Sequence, residues 1–267
     1  MWILIGVVGL LGLYALAVEP FWVSLHDLHV DIVDLPAEFE GFTILHLSDL
    51  HGRVGAFLRP AVRHALKTCD VVALTGDLYS PTLPRDRLVQ HLTTLDSDKL
   101  FYVSGNHDYR HGKLFIEPWN PGPALLDNRV VRLTKGEQYI WLAGLPDLVK
   151  GRPQLGQVVQ GITTQAPAVL LSHRPDVWSM HGVNRFQLIL SGHTHGGQVR
   201  FPWVGAVLRH NRLPKRYVSG VMVHKGRPTL ITSQGLGTSE LPIRFMARPE
   251  VLRIVLHKST GRDVPEV

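Results

Sequence analysis

An unbroken apolar run opens the chain: Trp2 to Val18 reads WILIGVVGLLGLYALAV, without one charged side chain. A helix of roughly 17–25 such residues crosses the hydrocarbon of a bilayer. Trp2 at one end and Phe21-Trp22 at the other place aromatic rings at the two interfaces. Ala15-Leu16-Ala17 has the small-x-small form of a signal-cleavage site, but the basic residues that precede a signal peptide's apolar core are missing. The pattern predicts an uncleaved anchor over residues 1–21. Its orientation stays open, because the first Lys or Arg is Arg53 and acidic residues contribute little to the positive-inside rule.

Behind the anchor the pattern changes to short apolar stretches separated by polar ones. Residues 23–33 alternate, with Val23, Leu25, Leu28, Val30 and Ile32 apolar, and predict a strand closed by Leu35-Pro36. Residues 42–47, 70–74 and 100–103 predict buried strands, with helical periodicity over 58–68 and 85–95 between them. Residues 129–133 and 138–144 predict a strand pair turning at Lys135-Gly136; 120–123 and 147–153 read as loops. Apolar strands follow at 168–171 and 186–190, then strands at 217–224, 228–232 and 251–257. Strands alternating with helices predict an α/β layered fold. The simplest division is an anchor over 1–21, one catalytic domain over 22–258 and a polar tail over 259–267.

Composition narrows the class. The 267 residues are 45% hydrophobic and 19% charged, enough for a sizeable core. Cys69 is the sole cysteine, so a disulfide framework is excluded and a buried structural thiol is expected. The net charge of +6 suits an anionic partner: a phosphate substrate, nucleic acid or anionic lipid. Nucleic acid is not expected, because the basic residues do not interleave with aromatics as single-strand binders require. No protein partner is evident.

The candidate chemistry sits where the apolar strands end. Five of them lead into short polar loops: Asp49-x-His51, Asp77, Asn106-His107-Asp108, His173 and His193-x-His195. Ligands of open α/β sheets bind beyond the carboxyl ends of the strands, so strands of a shared sheet would open all five loops onto one rim. Carboxylate, imidazole and amide donors suit Mn, Fe or Zn better than thiolate sites would. Two ions bridged by one carboxylate clamp both oxygens of an in-line phosphoryl displacement.

The set Asp49-x-His51, Gly76-Asp77, Gly105-Asn106-His107-Asp108, His173 and Gly192-His193-Thr194-His195 resembles the calcineurin-like metallophosphoesterases over residues 42–200. The resemblance implies a two-sheet β-sandwich flanked by helices. It implies that Asp49, His51 and His195 hold one divalent ion, that Asn106, His173 and His193 hold a second, and that Asp77 bridges them. Manganese is the ion favoured, with Fe, Zn or Co compatible. His107 would protonate the leaving oxygen, and Asp108 would orient and polarise His107.

The stretch 192–198 (GHTHGGQ), Pro202, 235–239 (GLGTS) and Arg248-Pro249-Glu250 further resemble the membrane-anchored bacterial subgroup that includes UDP-2,3-diacylglucosamine hydrolases. This implies a single-pass protein of the bacterial inner membrane that cleaves the pyrophosphate of a lipid-linked sugar nucleotide in lipid A synthesis. A cytoplasmic active site would go with that role. The basic segment with Arg209, Arg212, Lys215 and Arg216, followed by Arg244 and Arg248, would contact substrate phosphates or anionic lipid. A broad envelope phosphodiesterase or phosphatase is the alternative. A non-catalytic scaffold is the third reading, disfavoured by the complete set of ligand-type residues.

Overall fold

The computed structural model describes residues 1–79, 97–114, 124–239 and 241–259. The helix expected over 85–95, the loop over 120–123 and nearly all of the polar tail lie outside the described residues. The apolar N-terminus forms helix α1 (Trp2–Leu13), continued by a wider turn over Tyr14–Val18 and a tight one over Glu19–Phe21. Trp2–Phe21 together make a candidate membrane span whose apolar side chains are mostly exposed.

The strands run, in chain order, β1 (Ser24–Ile32), β2 (Thr43–Leu47), β3 (Val71–Leu74), β4 (Leu100–Tyr102), β5 (Tyr109–Arg110), β6 (Lys113–Leu114), β7 (Ala124–Leu125), β8 (Arg129–Lys135), β9 (Gln138–Leu145), β10 (Ala168–Ser172), β11 (Leu188–Ser191), β12 (Arg200–Phe201), β13 (Gly205–Ala206), β14 (Gly220–Met222), β15 (Thr229–Thr232) and β16 (Glu250–Lys258). One sheet has the order β1-β16-β2-β3-β4-β7 and the other β14-β15-β11-β10-β9-β8. The other α-helices among the described residues are α2 (Pro60–Thr68) and α3 (Leu155–Gly161).

Alternation along each strand builds the layers. On β2, Ile44 faces the other sheet and joins Ala73, Leu142, Val169, Leu190 and Ile254 in the central core. Its neighbours Leu45 and Leu47 face outward against α2, as the two-residue side-chain period requires. Helix α2 buries Val62, Ala65 and Leu66, spaced i, i+3, i+4. Pro60 starts it, where the missing N–H has no intrahelical partner to lose. Leu155 and Val158 of α3 cover the outer face of the second sheet in the same way. The two-sheet sandwich flanked by helices expected from the resemblance is the observed fold.

One expectation is corrected, and one condition is not met. The strand predicted over 217–224 is mostly absent: a tight turn over Lys215–Val218 precedes β14, which spans only Gly220–Met222. Tyr217 and Val218 owe their burial to that turn. The five candidate loops also do not leave one sheet. Those after β2, β3 and β4 leave the first sheet, and those after β10 and β11 leave the second. The strand ends of both layers meet at one edge of the sandwich.

Candidate metal centre

Five candidate side chains sit on residues with left-handed backbone: Asp49 (φ 51°), His51 (45°), Asp77 (51°), His193 (70°) and His195 (51°). Non-glycine residues adopt this region at a cost, and such strain concentrates at functional sites. The adjoining glycines let the loops approach. A Cβ on Gly192 would lie 1.8 Å from Ser48 Oγ and 2.3 Å from Asp49 Oδ2; one on Gly76 would lie 2.5 Å from Gly105 N. No side chain fits at either position.

The side chains converge on two foci. Asp49, His51 and His195 each offer an atom within 4.8 Å of the others, and so do Asp77, His173 and His193. In the first group, His51 Nε2 lies 3.2 Å from His195 Nε2, and His195 Nε2 lies 3.4 Å from Asp49 Oδ1. In the second, His173 Nε2 is 3.3 Å from Asp77 Oδ2, 3.2 Å from Asn106 Oδ1 and 3.2 Å from His193 Nδ1. Asp77 Oδ2 also lies 3.7 Å from His51 Nε2, which puts this carboxylate between the groups. His107 is exposed at the mouth, its ring edge-on to His51 at 5.0 Å.

The donor set fits divalent cations. Asp49, Asp77, His173 and His195 are almost wholly buried, and buried carboxylates need a positive partner. His173 Nδ1 donates to the carbonyl of Thr75 at 2.7 Å. That bond orients the ring and leaves Nε2 as the nitrogen that faces the cluster. Burial pushes His51 and His195 below the ordinary imidazole range; burial and the charge of His173 push His193 down to about 2. Neutral imidazoles are the form that ligates metal. Burial alone would raise Asp77, but the charge and hydrogen bond of His173, with His51 and His107, hold it well below the usual carboxylate range. For His173 the balance is the mirror image: burial lowers it, and Asp77 lifts it to about 10. Asp49 is raised by burial, with the charge of Asp77 adding to the shift.

Asp108 is corrected. Its carboxylate accepts N–H bonds from Asp77 (2.8 Å), Gly105 (2.8 Å) and Leu78 (2.9 Å) rather than holding the His107 ring. Asp108 is the third residue of the turn Asn106–Asp108, so its side chain folds back onto the turn's own start. It locks the Asp77 loop to the Asn106 loop. Burial and the charge of Asp77 raise it to about 7.

A two-group cluster of Asp, His and Asn, at the edge where two sheets' strand ends meet, is matched by a family model. The calcineurin-like phosphoesterase model covers residues 42–197. The chain belongs to the calcineurin-like phosphoesterase family. It is 28% identical over 93% of its length to the uncharacterized metallophosphoesterase YkuE of Bacillus subtilis, covering 90% of that protein. It is also 28% identical to a transmembrane protein with metallophosphoesterase domain of Danio rerio, over 96% of this chain and 62% of that one. Among solved structures, a 5'-nucleotidase precursor from Thermus thermophilus shares the fold at TM-score 0.52 and 12% identity, with 80% of this chain and 54% of that chain covered. This phosphoesterase is a metal-dependent phosphoester hydrolase, and its two residue groups fit a dinuclear centre.

Several residues that support the phosphoesterase centre escape a reading of motifs. Ser48 Oγ donates to Asp49 Oδ2 (2.6 Å), Thr75 Oγ1 donates to Ser48 Oγ (2.8 Å), and His46 Nε2 lies 2.8 Å from Thr75 Oγ1. This buried chain orients Asp49 from behind. Arg174 joins Asp147 (2.6 Å), His193 Nε2 (2.6 Å) and Asn106 Oδ1 (3.2 Å). Its place directly after His173 is the one signal the sequence offers. Arg244, which the sequence suggested for phosphate contact, is instead wholly buried. Its guanidinium donates to the carbonyls of Ala247 (2.7 Å), Gln234 (2.8 Å) and Gly235 (3.2 Å). Burial brings its pKa down to about 10. It fastens the 234–247 loop, whose Leu236 and Gly237 amides bond the carbonyls of Ser48 and Asp49. Arg248 stacks on Trp22 at 3.7 Å from the ring centroid. Arg209, Arg212, Lys215 and Arg216 remain exposed, and His210 in their midst brings its ring to 6.1 Å from that of His193.

Proposed function

We propose that this phosphoesterase hydrolyses an amphiphilic phosphoester at a bacterial inner membrane, with the pyrophosphate of UDP-2,3-diacylglucosamine as the substrate that best joins its features. Asp49, His51 and His195 would hold one divalent cation, and Asn106, His173 and His193 the other, with Asp77 shared. Manganese is the ion proposed for the pair, and Fe, Zn or Co also suit carboxylate, imidazole and amide donors. Bound there, the pair supplies Lewis-acid polarisation of phosphoryl oxygens and a water acidic enough to attack near neutral pH.

The chain's own residues do the rest. Ser48 and the His193 amide (2.9 Å from Asp49 Oδ2) fix Asp49, and Thr75 fixes the His173 ring. His107, exposed at the mouth beside His51, stands where it can give a proton to a departing oxygen. Arg209, Arg212, Lys215 and Arg216 would meet the substrate's phosphates or the lipid surface.

The observation that carries the membrane part of this reading is the docking of the span onto the site's own loops. Arg244 N–H bonds the carbonyl of Ala15 (3.0 Å), and Ala247 N–H bonds the buried Glu19 carboxylate (2.6 Å). Arg53 reaches the carbonyl of Pro20 (3.3 Å), and Arg59 that of Phe21 (3.0 Å). Cleavage after Ala17 would sever part of this packing, which supports a retained anchor. The zebrafish relative's name adds support for a membrane setting.

The test pairs the diacylated sugar nucleotide with its deacylated analogue, each with Mn²⁺ and with chelator. Metal-dependent turnover that strongly favours the acylated form is expected. Equal turnover of both would give the chain to the broad phosphodiesterases, and turnover indifferent to chelator would remove the metal centre.

A further inference from the structure

We propose that the β12–β13 hairpin is a second membrane contact, with Trp203 at its tip entering the lipid interface while neighbouring cations hold phospholipid phosphates. The proposal rests on reading Trp2–Phe21 as a bilayer span. It does not depend on which phosphoester is cleaved.

The hairpin pairs Arg200 with Ala206 and Phe201 with Gly205. Trp203, in the turn between them, is fully exposed and held at φ 64°. A bulky aromatic residue seldom occupies that region. Phe201, Val204, Val207, Leu208 and Met246 are exposed around it. A water-facing surface rarely gathers so much apolar area unless something covers it.

What covers this patch is indicated by its neighbours. Phe245 carries the patch to the span: its ring lies 5.7 Å from that of Phe201 and 6.5 Å from that of Tyr14. The apolar surface is therefore continuous with a helix read as lipid-embedded. A cleft of about 470 Å³ lies between the hairpin, Met246 and the turn bearing Lys215 and Arg216. Three cations line it, and none pairs with a carboxylate among the described residues. Arg200 bonds Ser219 Oγ (2.7 Å), Lys215 bonds the carbonyl of Val204 (3.3 Å), and Arg216 lies over the ring of Tyr217. An apolar tip above a cationic base matches the layering of an anionic leaflet, with acyl chains beyond phosphates.

The hairpin is also braced on the metal-site loop. Val207 N–H bonds the carbonyl of Val199 (3.1 Å), and a Cβ on Gly197 would lie 2.5 Å from that of Ala206. Span and hairpin together make two contacts with the bilayer, which turn the mouth of the centre toward the lipid surface. The substrate class this suits is a phosphoester whose tail stays in the leaflet.

The full chain is placed in nanodiscs, one series of zwitterionic phospholipid and one containing phosphatidylglycerol. An environment-sensitive fluorophore is attached at Trp203→Cys, at Val204→Cys, or at Val33→Cys. Cys69 is buried, and burial pushes its thiol up to about 11, so it stays unlabelled. Val33 is exposed just past the end of β1, whose nine residues put it roughly 30 Å from Ser24 beside the span. Blue-shifted emission, quenched by shallow spin-labelled lipid at either hairpin position but not at Val33, is expected. Lys215→Gln with Arg216→Gln should weaken docking on the anionic discs roughly thirty-fold. Hairpin signals matching Val33 would overturn the proposal. A hairpin shielded from water but not quenched by lipid would also overturn it, in favour of a protein cover. Unchanged docking in the double variant would overturn the phosphate-holding part. None of these readouts needs turnover, so an inactive chain that docks and an active chain that does not are told apart.

Discussion

His46 offers a quantitative test of how the centre is supported. It lies on β2 facing the second sheet, wholly buried. Thr75 Oγ1 gives its proton to Ser48 Oγ, so His46 Nε2 must be the donor in its 2.8 Å contact with Thr75. A second proton would have to go to Nδ1, which has no hydrogen-bond partner. Burial accordingly pushes this imidazole down to about 3. In the unfolded chain it titrates near the ordinary value of about 6.5. Above that pH both states are neutral and His46 costs nothing. As pH falls below it, the unfolded chain takes up a proton that the native chain refuses, so stability is lost by about 1.4 kcal/mol per pH unit, down to pH of about 3. Between pH of about 7.5 and about 5 the loss is about 2 kcal/mol, against a total stability of about 5–15 kcal/mol for a typical domain. His46→Gln keeps a neutral donor for Thr75 and removes the titration. Urea unfolding of chelator-treated protein in detergent, at both pH values, isolates the effect, because every other titrating group is common to the two proteins. The parent is expected to lose about 2 kcal/mol more than the variant. Parallel pH dependence would refute the assignment of a neutral, unprotonatable His46.

Three further outcomes follow from the geometry. Gly192→Ala would drive a methyl group into Ser48 Oγ and Asp49 Oδ2. Displacing a ligand's support in this way should cost roughly tenfold or more in metal affinity, read by Mn²⁺ titration; unchanged affinity would mean the loop yields freely. His107→Ala should slow esters with poor leaving groups far more than activated aryl esters; equal losses would remove it as the proton donor. Arg244→Met should leave several buried carbonyls unpaired and lower stability by about 3 kcal/mol or more, seen as a fall in Tm; an unchanged Tm would refute its role as a fastener.

Much of the site was legible because its signal is local. A buried strand announces itself by an apolar run, and a ligand loop by polar, glycine-flanked residues directly after it. His51 and His173 each stand within a few residues of such a strand end. What a side chain reaches is another matter. Asp108 stands next to His107 in the chain, yet the tight turn at Asn106–Asp108 sends its carboxylate to the amides of Asp77, Leu78 and Gly105. The β12–β13 hairpin was unreadable for a different reason: strands of two residues have no period to detect. Tyr217 and Val218 misled in the opposite direction, because a buried turn needs apolar side chains as much as a strand does.

Residue type and near spacing were therefore enough to set the apolar length of the N-terminal helix, the α/β alternation and the kinds of donor at each strand end. Packing of the whole chain was needed to show that three ligand loops come from one sheet and two from the other. It placed His51 against His195 across 144 positions of chain, and Ala247 against Glu19 across 228. Likewise, it turned Arg244 inward to fasten a loop and left Trp203 outside. Pairings over such separations are set by how two sheets stack and where the N-terminal helix docks, and no short window of residues contains that information.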